Sequence, residues 1–431
     1  MKITSPNVFI GWLDFGEDDQ RRAREYLSQF NTDNTLDELG FGVLRDAFAD
    51  VFFPATNTIM TRTRYLVFIP RLCYAVEQAQ LSGQAAARRL TELENMLRES
   101  LRNEESQYVI GAVSKDKLHR YPSSIYWSAL KRLGIFTHST WGLAYYQAHL
   151  AAFHAAMKAE KDDDGLLHLN NVDCHNWDKS LCDIFADGRS MSMSDKHFPE
   201  SLNFNLTKSE ARYLQGKFRG LAHTDKRPSI VSHLLEGRHA DPFNYPWNTP
   251  YPAELELYVS HARCFSMFTR GATLQYFHLL QQERASRGIG KPTCDVRDVF
   301  SRWWEATRSN LAEWNLDEFF VLASGMDAVR RLNDKTFIQQ WTQLNIQAAG
   351  PDEMFDNAEA HSRIRERERI TRPTKSRLHH PEYLQRWNPP KQGDIDSMGT
   401  SMDTLCFGLD YRAWIGSTFV RDIMDGLAGA A

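Results

Sequence analysis

QAAARRLTELENMLRESLRNEE, residues 84–105, carries its apolar side chains at Ala86, Leu90, Leu93, Leu97 and Leu101. Steps of three and four return to one side of a 3.6-residue turn, so the spacing predicts an amphipathic helix over this stretch. Glu94 and Arg98, four apart, then form a supporting ion pair on the outer face.

The same period recurs elsewhere. In LTKSE at 206–210, Thr207 can cap a helix while Glu210 reaches back to the capping residue's amide. Tyr411, Ile415, Phe419 and Ile423 repeat every four residues, with Gly426 placed to stop that helix. RYPSSIYWSALKRLGIF at 120–136 reads as a loop, a helix over 121–133 opened near Pro122 and ended by Gly134, and a short strand. Ile125, Ala129 and Leu133 would face the core. Strand-like stretches are few: Val8 to Ile10, Tyr108 to Ile110, and Ile135 to Phe136. The fold class that follows is mainly α, a multi-helical body with a small β component and a winged-helix-like unit around 108–140.

Polar segments at 158–165 and from Gly350 to Thr400, the latter holding five prolines, mark the expected borders. They divide the chain into an N-terminal helical unit over 1–160, a central helical unit over 175–349, and a basic, proline-containing connector with a C-terminal helix over 350–431. That agrees with about three units for 431 residues. The balance of 42% hydrophobic and 25% charged residues is that of a globular protein. A net charge of -4 carries no global signature of nucleic-acid binding, so any such contact must come from local patches. The first residues lack the basic end and long apolar run of a secretory signal. WGLAYYQAHLAAFHAAM at 141–157 is too short and too polar for a membrane span, and is expected to be a buried helix. Six cysteines without paired spacing suggest reduced thiols and a cytoplasmic location.

No phosphate loop, dinucleotide fingerprint, zincin helix or nucleophile elbow is present, and no cofactor is expected. Cys174, His175, Cys182 and His197 offer soft ligands for zinc, but in a spacing that equally suits a loop with incidental thiols. In RDAFAD, Asp46 and Asp50 lie one helical turn apart and with Asp14 would make three carboxylates, enough for a Mg²⁺-dependent nuclease. The alternative is a salt-bridged helix face. Trp303, Trp304 and Trp314 are either anchors for a protein partner or core residues.

Cations gather in three places. Arg62 and Arg64, in TRTRY, and the nearby Arg71 suit bidentate phosphate contact, or else bridge neighbouring helices. Ser123, Ser124, Lys131 and Arg132 decorate the 121–133 helix as phosphate-bonding groups of a recognition helix. HSRIRERERITRPTKSRLHH at 361–380 holds Arg363, Arg365, Arg367, Arg369, Arg372, Lys375 and Arg377 against two glutamates, and would either track a phosphate backbone or be a solvated arm or a helix that packs on a partner subunit.

GWLDF at 11–15, RDAFAD at 45–50, FPATNTIMTRTRYLVFIP at 53–70, RYPSSIYW at 120–127, FNLTKSEARYL at 204–214 and the segment from LDYRAW to IMDGL at 409–427 resemble a bacterial family of unknown function. Its members neighbour helicase and nuclease genes in anti-phage defence islands. The resemblance covers nearly the whole chain and implies a subunit of a multi-protein defence system, partnered by helicase or nuclease subunits, without supplying an active site. Gly16 departs from the pattern, where serine would cap a helix. The leading expectation is a non-catalytic subunit that recognises duplex DNA or scaffolds such partners. A nuclease built on Asp14, Asp46 and Asp50 and a pure protein-interaction subunit are the alternatives.

Overall fold

The computed structural model describes residues 39–112, 120–162, 176–186, 198–225, 227–237, 243–326 and 335–429. The repeat at 84–105 folds as the helix Gly83–Ser100, with Ala86, Leu90, Leu93 and Leu97 buried. It ends earlier than the spacing predicts because its last turn is claimed from outside: the Leu202 amide donates to the Ser100 carbonyl at 2.8 Å, and the Ser100 hydroxyl donates to the Pro199 carbonyl.

Glu94 does not pair with Arg98 on the outer face. It is 3% exposed and accepts the Ser123 amide at 2.6 Å, while Arg98 lies beside Glu99. The reason is at the far end of that bond. The helix Pro122–Arg132 opens after Tyr121 without a side-chain cap of its own, and an orphan amide in its first turn needs an acceptor. Glu94, from another helix, supplies it.

The remaining predicted elements form with informative differences. The reciprocal cap is present: Glu210 accepts the Thr207 amide at 2.9 Å, and the Thr207 hydroxyl accepts the Glu210 amide at 3.3 Å, opening the helix Lys208–Asp225. The helix Ala413–Ala428 runs past Gly426 and ends at Gly429, whose φ is 74°. Gly426 is instead a point of close approach, since a Cβ there would stand 2.9 Å from the Cβ atoms of Leu206 and Ala211. The 141–157 stretch lies on the helix Leu143–Asp162, but among its described side chains only Tyr146 and Leu150 are buried. Its recurring Gln147, His149 and His154 leave room for one narrow apolar stripe, so it lies on the surface rather than inside.

No wing forms among the described residues. Tyr108 to Ile110 is a turn whose Ile110 amide donates to the Tyr65 hydroxyl, and Phe136 makes only an isolated antiparallel bridge with Trp177. Gly134, at φ 60°, turns the chain back so that the Ile135 amide meets the Leu130 carbonyl at 2.9 Å, which spends the donor a strand would use. Val8 to Ile10 lies outside the described residues. The fold is mainly helical.

The described residues fall into two units, each assembled from separated segments: 44–267, 314–326 and 407–429 in the larger, and 39–43, 268–313 and 335–406 in the smaller. In the larger, Ala413–Ala428 packs on Lys208–Asp225 and Tyr65–Gln78 packs on Pro122–Arg132. In the smaller, Trp303 and Trp341 are fully buried, and the Trp341 indole donates to Gln275 at 2.8 Å. The stretch after Gly350 forms short helices of this unit, among them Pro351–Phe355, Ala358–Thr371 and Pro381–Arg386. The 34-residue helix Ala253–Ser286 contributes its residues up to Met267 to the larger unit and the rest to the smaller.

Candidate phosphate-binding cleft

The helix Pro122–Arg132 buries Ile125, Ala129 and, just past its end, Leu133, as the spacing predicts. Ser124, Ser128 and Arg132, four apart, therefore share its exposed face. Ser128 and Arg132 form part of the lining of a cavity of about 360 Å³ in the larger unit, together with Arg227, Asp50, the turn Pro54 to Thr56, Ala47 and Met326. Ala55 in that turn adopts a left-handed conformation, φ 62°.

Its electrostatics follow from which donors are already used. Arg132 donates to both oxygens of Asp225 at 2.8 Å through Nη2 alone, which leaves Nε and Nη1 for another acceptor. Arg227 and the Ser128 hydroxyl make no hydrogen bond or ion pair among the described residues. Asp50 is held by Arg412 at 2.6 Å through one oxygen. Arg227, with its fork of N–H donors uncommitted among the described residues, and Arg132, with Nε and Nη1 left, thus line one cavity. That arrangement offers N–H and O–H donors of the kind an oxyanion accepts; it contains no group of three metal-ligating side chains, and none occurs among the described residues.

The nuclease candidates are engaged otherwise. Arg412 bridges Asp50 and Asp46, the latter at 3.3 Å, and Arg45 also bonds Asp46. Asp14 lies outside the described residues, as do Cys174, His175 and His197. Cys182 is disulfide-bonded, so its sulfur is no thiolate ligand, and the expectation that all six cysteines are reduced does not hold for it. Cys73, Cys264, Cys294 and Cys406 form no disulfide.

Most of the other predicted cations are tied into the fold. Arg62 grips Asp422 through Nε and Nη2 at 2.9–3.1 Å, and the Thr63 amide adds a bond to the same carboxylate. Burial pushes the Asp422 carboxyl up even so, against the pull of Arg62. Arg64 is buried, bonding Asn203 and pairing with Glu210 at 3.2 Å. Arg71 is half-buried over the Phe185 ring. Ser123 is buried, and the Ser124 hydroxyl bonds the Tyr121 carbonyl. Lys131 is half-exposed.

The basic 361–380 segment is dispersed rather than gathered into a track. Arg363 pairs with Glu359, Arg365 with Glu283 and Arg369 with Glu366. Arg367 is buried and donates to the Leu39 and Gly40 carbonyls. Glu368 accepts from Tyr276, Ser376 and the amides of Arg377 and Leu378, which folds the segment back on itself and buries Arg377. Arg372 is half-buried and Lys375 exposed. Trp303, Trp304 and Trp314 are all core residues.

Arg227, Ser128, Arg412 and Asp422 were not singled out by the sequence. Ser128 had a signal, its spacing of four from both Ser124 and Arg132; Arg227, beside Pro228, had none.

No helix among the described residues is long and apolar enough to cross a membrane. No curated protein and no solved structure matches the chain. A family model, described as a family of unknown function (DUF6361), matches residues 7–425. Spanning nearly the whole sequence, that match makes the chain a member of this family.

Proposed function

We propose that this protein is a non-catalytic nucleic-acid-recognition subunit that contacts phosphate through the cleft of Arg132 and Arg227. The carrying observation is that these two arginines line one cavity, while Arg62, Arg64 and most of the 361–380 cations bond partners within their own unit. The likeness of its motifs to proteins beside helicase and nuclease genes supports a place in a multi-protein anti-phage defence system, with such enzymes as partners. The salt dependence of duplex binding, followed by fluorescence anisotropy, tests the reading. Each phosphate contact contributes a slope of about -0.9 in log affinity against log salt. Arg132→Ala with Arg227→Ala should therefore flatten the slope by roughly one to two, and changing Arg363, Arg365, Arg369 and Arg372 to Ser should change it less. An unchanged slope and affinity for the cleft variant would overturn the proposal.

A further inference from the structure

We infer that the cleft accepts one nucleoside 5′-phosphate, either free or as the terminal nucleotide of a strand, rather than the backbone of an uninterrupted duplex. The inference rests on the phosphate-binding reading above and specifies its ligand. A duplex backbone passing over a protein needs only a shallow surface, because its phosphates stand on the outside of the helix. Here the site is a cavity of about 360 Å³, within the roughly 300–1,000 Å³ of pockets that enclose small ligands.

Its lining matches the parts of a nucleotide. Arg132 and Arg227 bring two guanidinium groups to one cavity. A phosphomonoester presents three terminal oxygens against the two of a phosphodiester, so the donors of Arg227, those left on Arg132 beside Asp225 and the Ser128 hydroxyl suit the monoester. Ser128 adds a hydroxyl that makes no hydrogen bond among the described residues. Pro54, Ala55 and Met326 provide apolar surface on which a base can lie out of water. Asp50, with only Oδ1 committed to Arg412, keeps Oδ2 to accept a hydrogen bond from a sugar hydroxyl or a base amino group. Arg412 offsets its charge, so the carboxylate does not repel the phosphate as a bare one would.

Calorimetric titration of the full chain with adenosine 5′-monophosphate, adenosine and inorganic phosphate tests the free ligand. Anisotropy with a single strand of about 12 nucleotides, with and without a 5′-phosphate, and with a closed hairpin duplex tests the strand end. We expect a preference of about ten-fold or more for the phosphorylated ligand, lost in Arg227→Ala without a change in the melting curve. Arg227 has no hydrogen-bond or ion-pair partner among the described residues to lose, so that variant should fold. Binding of the monophosphate without a strand-end preference supports the inference and assigns the free nucleotide; a strand-end preference without monophosphate binding supports it and assigns the terminus. If the hairpin duplex binds through Arg132 and Arg227 while neither phosphomonoester is preferred, the inference falls and the proposed function stands. If no ligand binds, both fall.

Discussion

Replacing Glu94 by Gln should change how stability depends on pH more than it changes stability in acid. Burial pushes the Glu94 carboxyl from the ordinary 4.5 up to about 7, and the Ser123 amide and hydroxyl only partly oppose that rise. The sign is that of an acid whose folded-state value is raised. The favourable neutral form is fully present below about 4.5, and its contribution is lost as the pH climbs to about 7. A gap of about 2.5 pH units is worth roughly 3 kcal/mol. Gln is neutral throughout, retains a carbonyl to accept the Ser123 amide, and can meet the Ser123 hydroxyl with its amide. Denaturant unfolding at pH 5 and pH 8 should show the parent losing about 2–3 kcal/mol relative to Glu94→Gln between the two conditions. Parallel pH profiles for variant and parent would refute the claim that this carboxyl is held neutral by its surroundings.

Four further outcomes follow from the geometry. Asp422→Asn should cost about 3–5 kcal/mol by stripping Arg62 of its carboxylate, and Arg62→Met combined with Asp422→Leu should recover part of that in thermal melts. Gly416→Ala should cost about 1–3 kcal/mol, since a Cβ there would collide with the Phe53 ring; Gly220→Ala, with no atom nearby, should be neutral or stabilising. The Trp314 indole donates to His261 Nδ1 at 3.1 Å, so the ring proton sits on Nε2, 3.3 Å from Glu318. Because burial holds this imidazole below its usual 6.5, stability is present above 6.5 and lost as the pH falls below it; His261→Asn, keeping an acceptor for Trp314, should melt with a smaller loss between pH 7 and 5. Asp46→Asn should leave nucleic-acid affinity unchanged within about two-fold while lowering the melting point slightly, as Arg412 and Arg45 each lose a half-exposed carboxylate, a cost of about 0.5–1 kcal/mol.

The helices were legible because their signals are local. The repeat through Leu90, Leu93 and Leu97, the reciprocal cap of Thr207 and Glu210 and the frame of Pro122 and Gly134 each lie within a few residues of chain. Glu94 was misread for the same reason: its i,i+4 neighbour Arg98 is visible in the sequence, but the bare amide that captures it is 29 positions away. For RDAFAD and TRTRY the sequence offered both a ligand-binding role and a salt-bridging one without naming the partners, which are distant: RDAFAD closes on Arg412, TRTRY on Asp422 and Glu210, and the Tyr126 hydroxyl of RYPSSIYW on the Thr61 amide. Their specificity is that of mutual fit. Of the cleft, one cation was foreseen, Arg132; Arg227 reaches it from a distant segment, a pairing that no periodicity encodes.

The grip of Arg62 on Asp422 spans 360 positions, and it constrains how this protein can be made. During synthesis at about 5–20 residues per second, domains tend to fold as they emerge. Here the partner of Arg62, the helix that seats Gly416 against Phe53, and the residue that restrains Asp46 and Asp50 all come from beyond position 406. The larger unit must therefore wait on the ribosome, with Arg62 lacking its carboxylate, until residue 422 has been translated. A cell stress that stalls elongation between these positions would present a half-built unit to chaperones and proteases, so supply of the finished protein should track translational integrity as well as transcription.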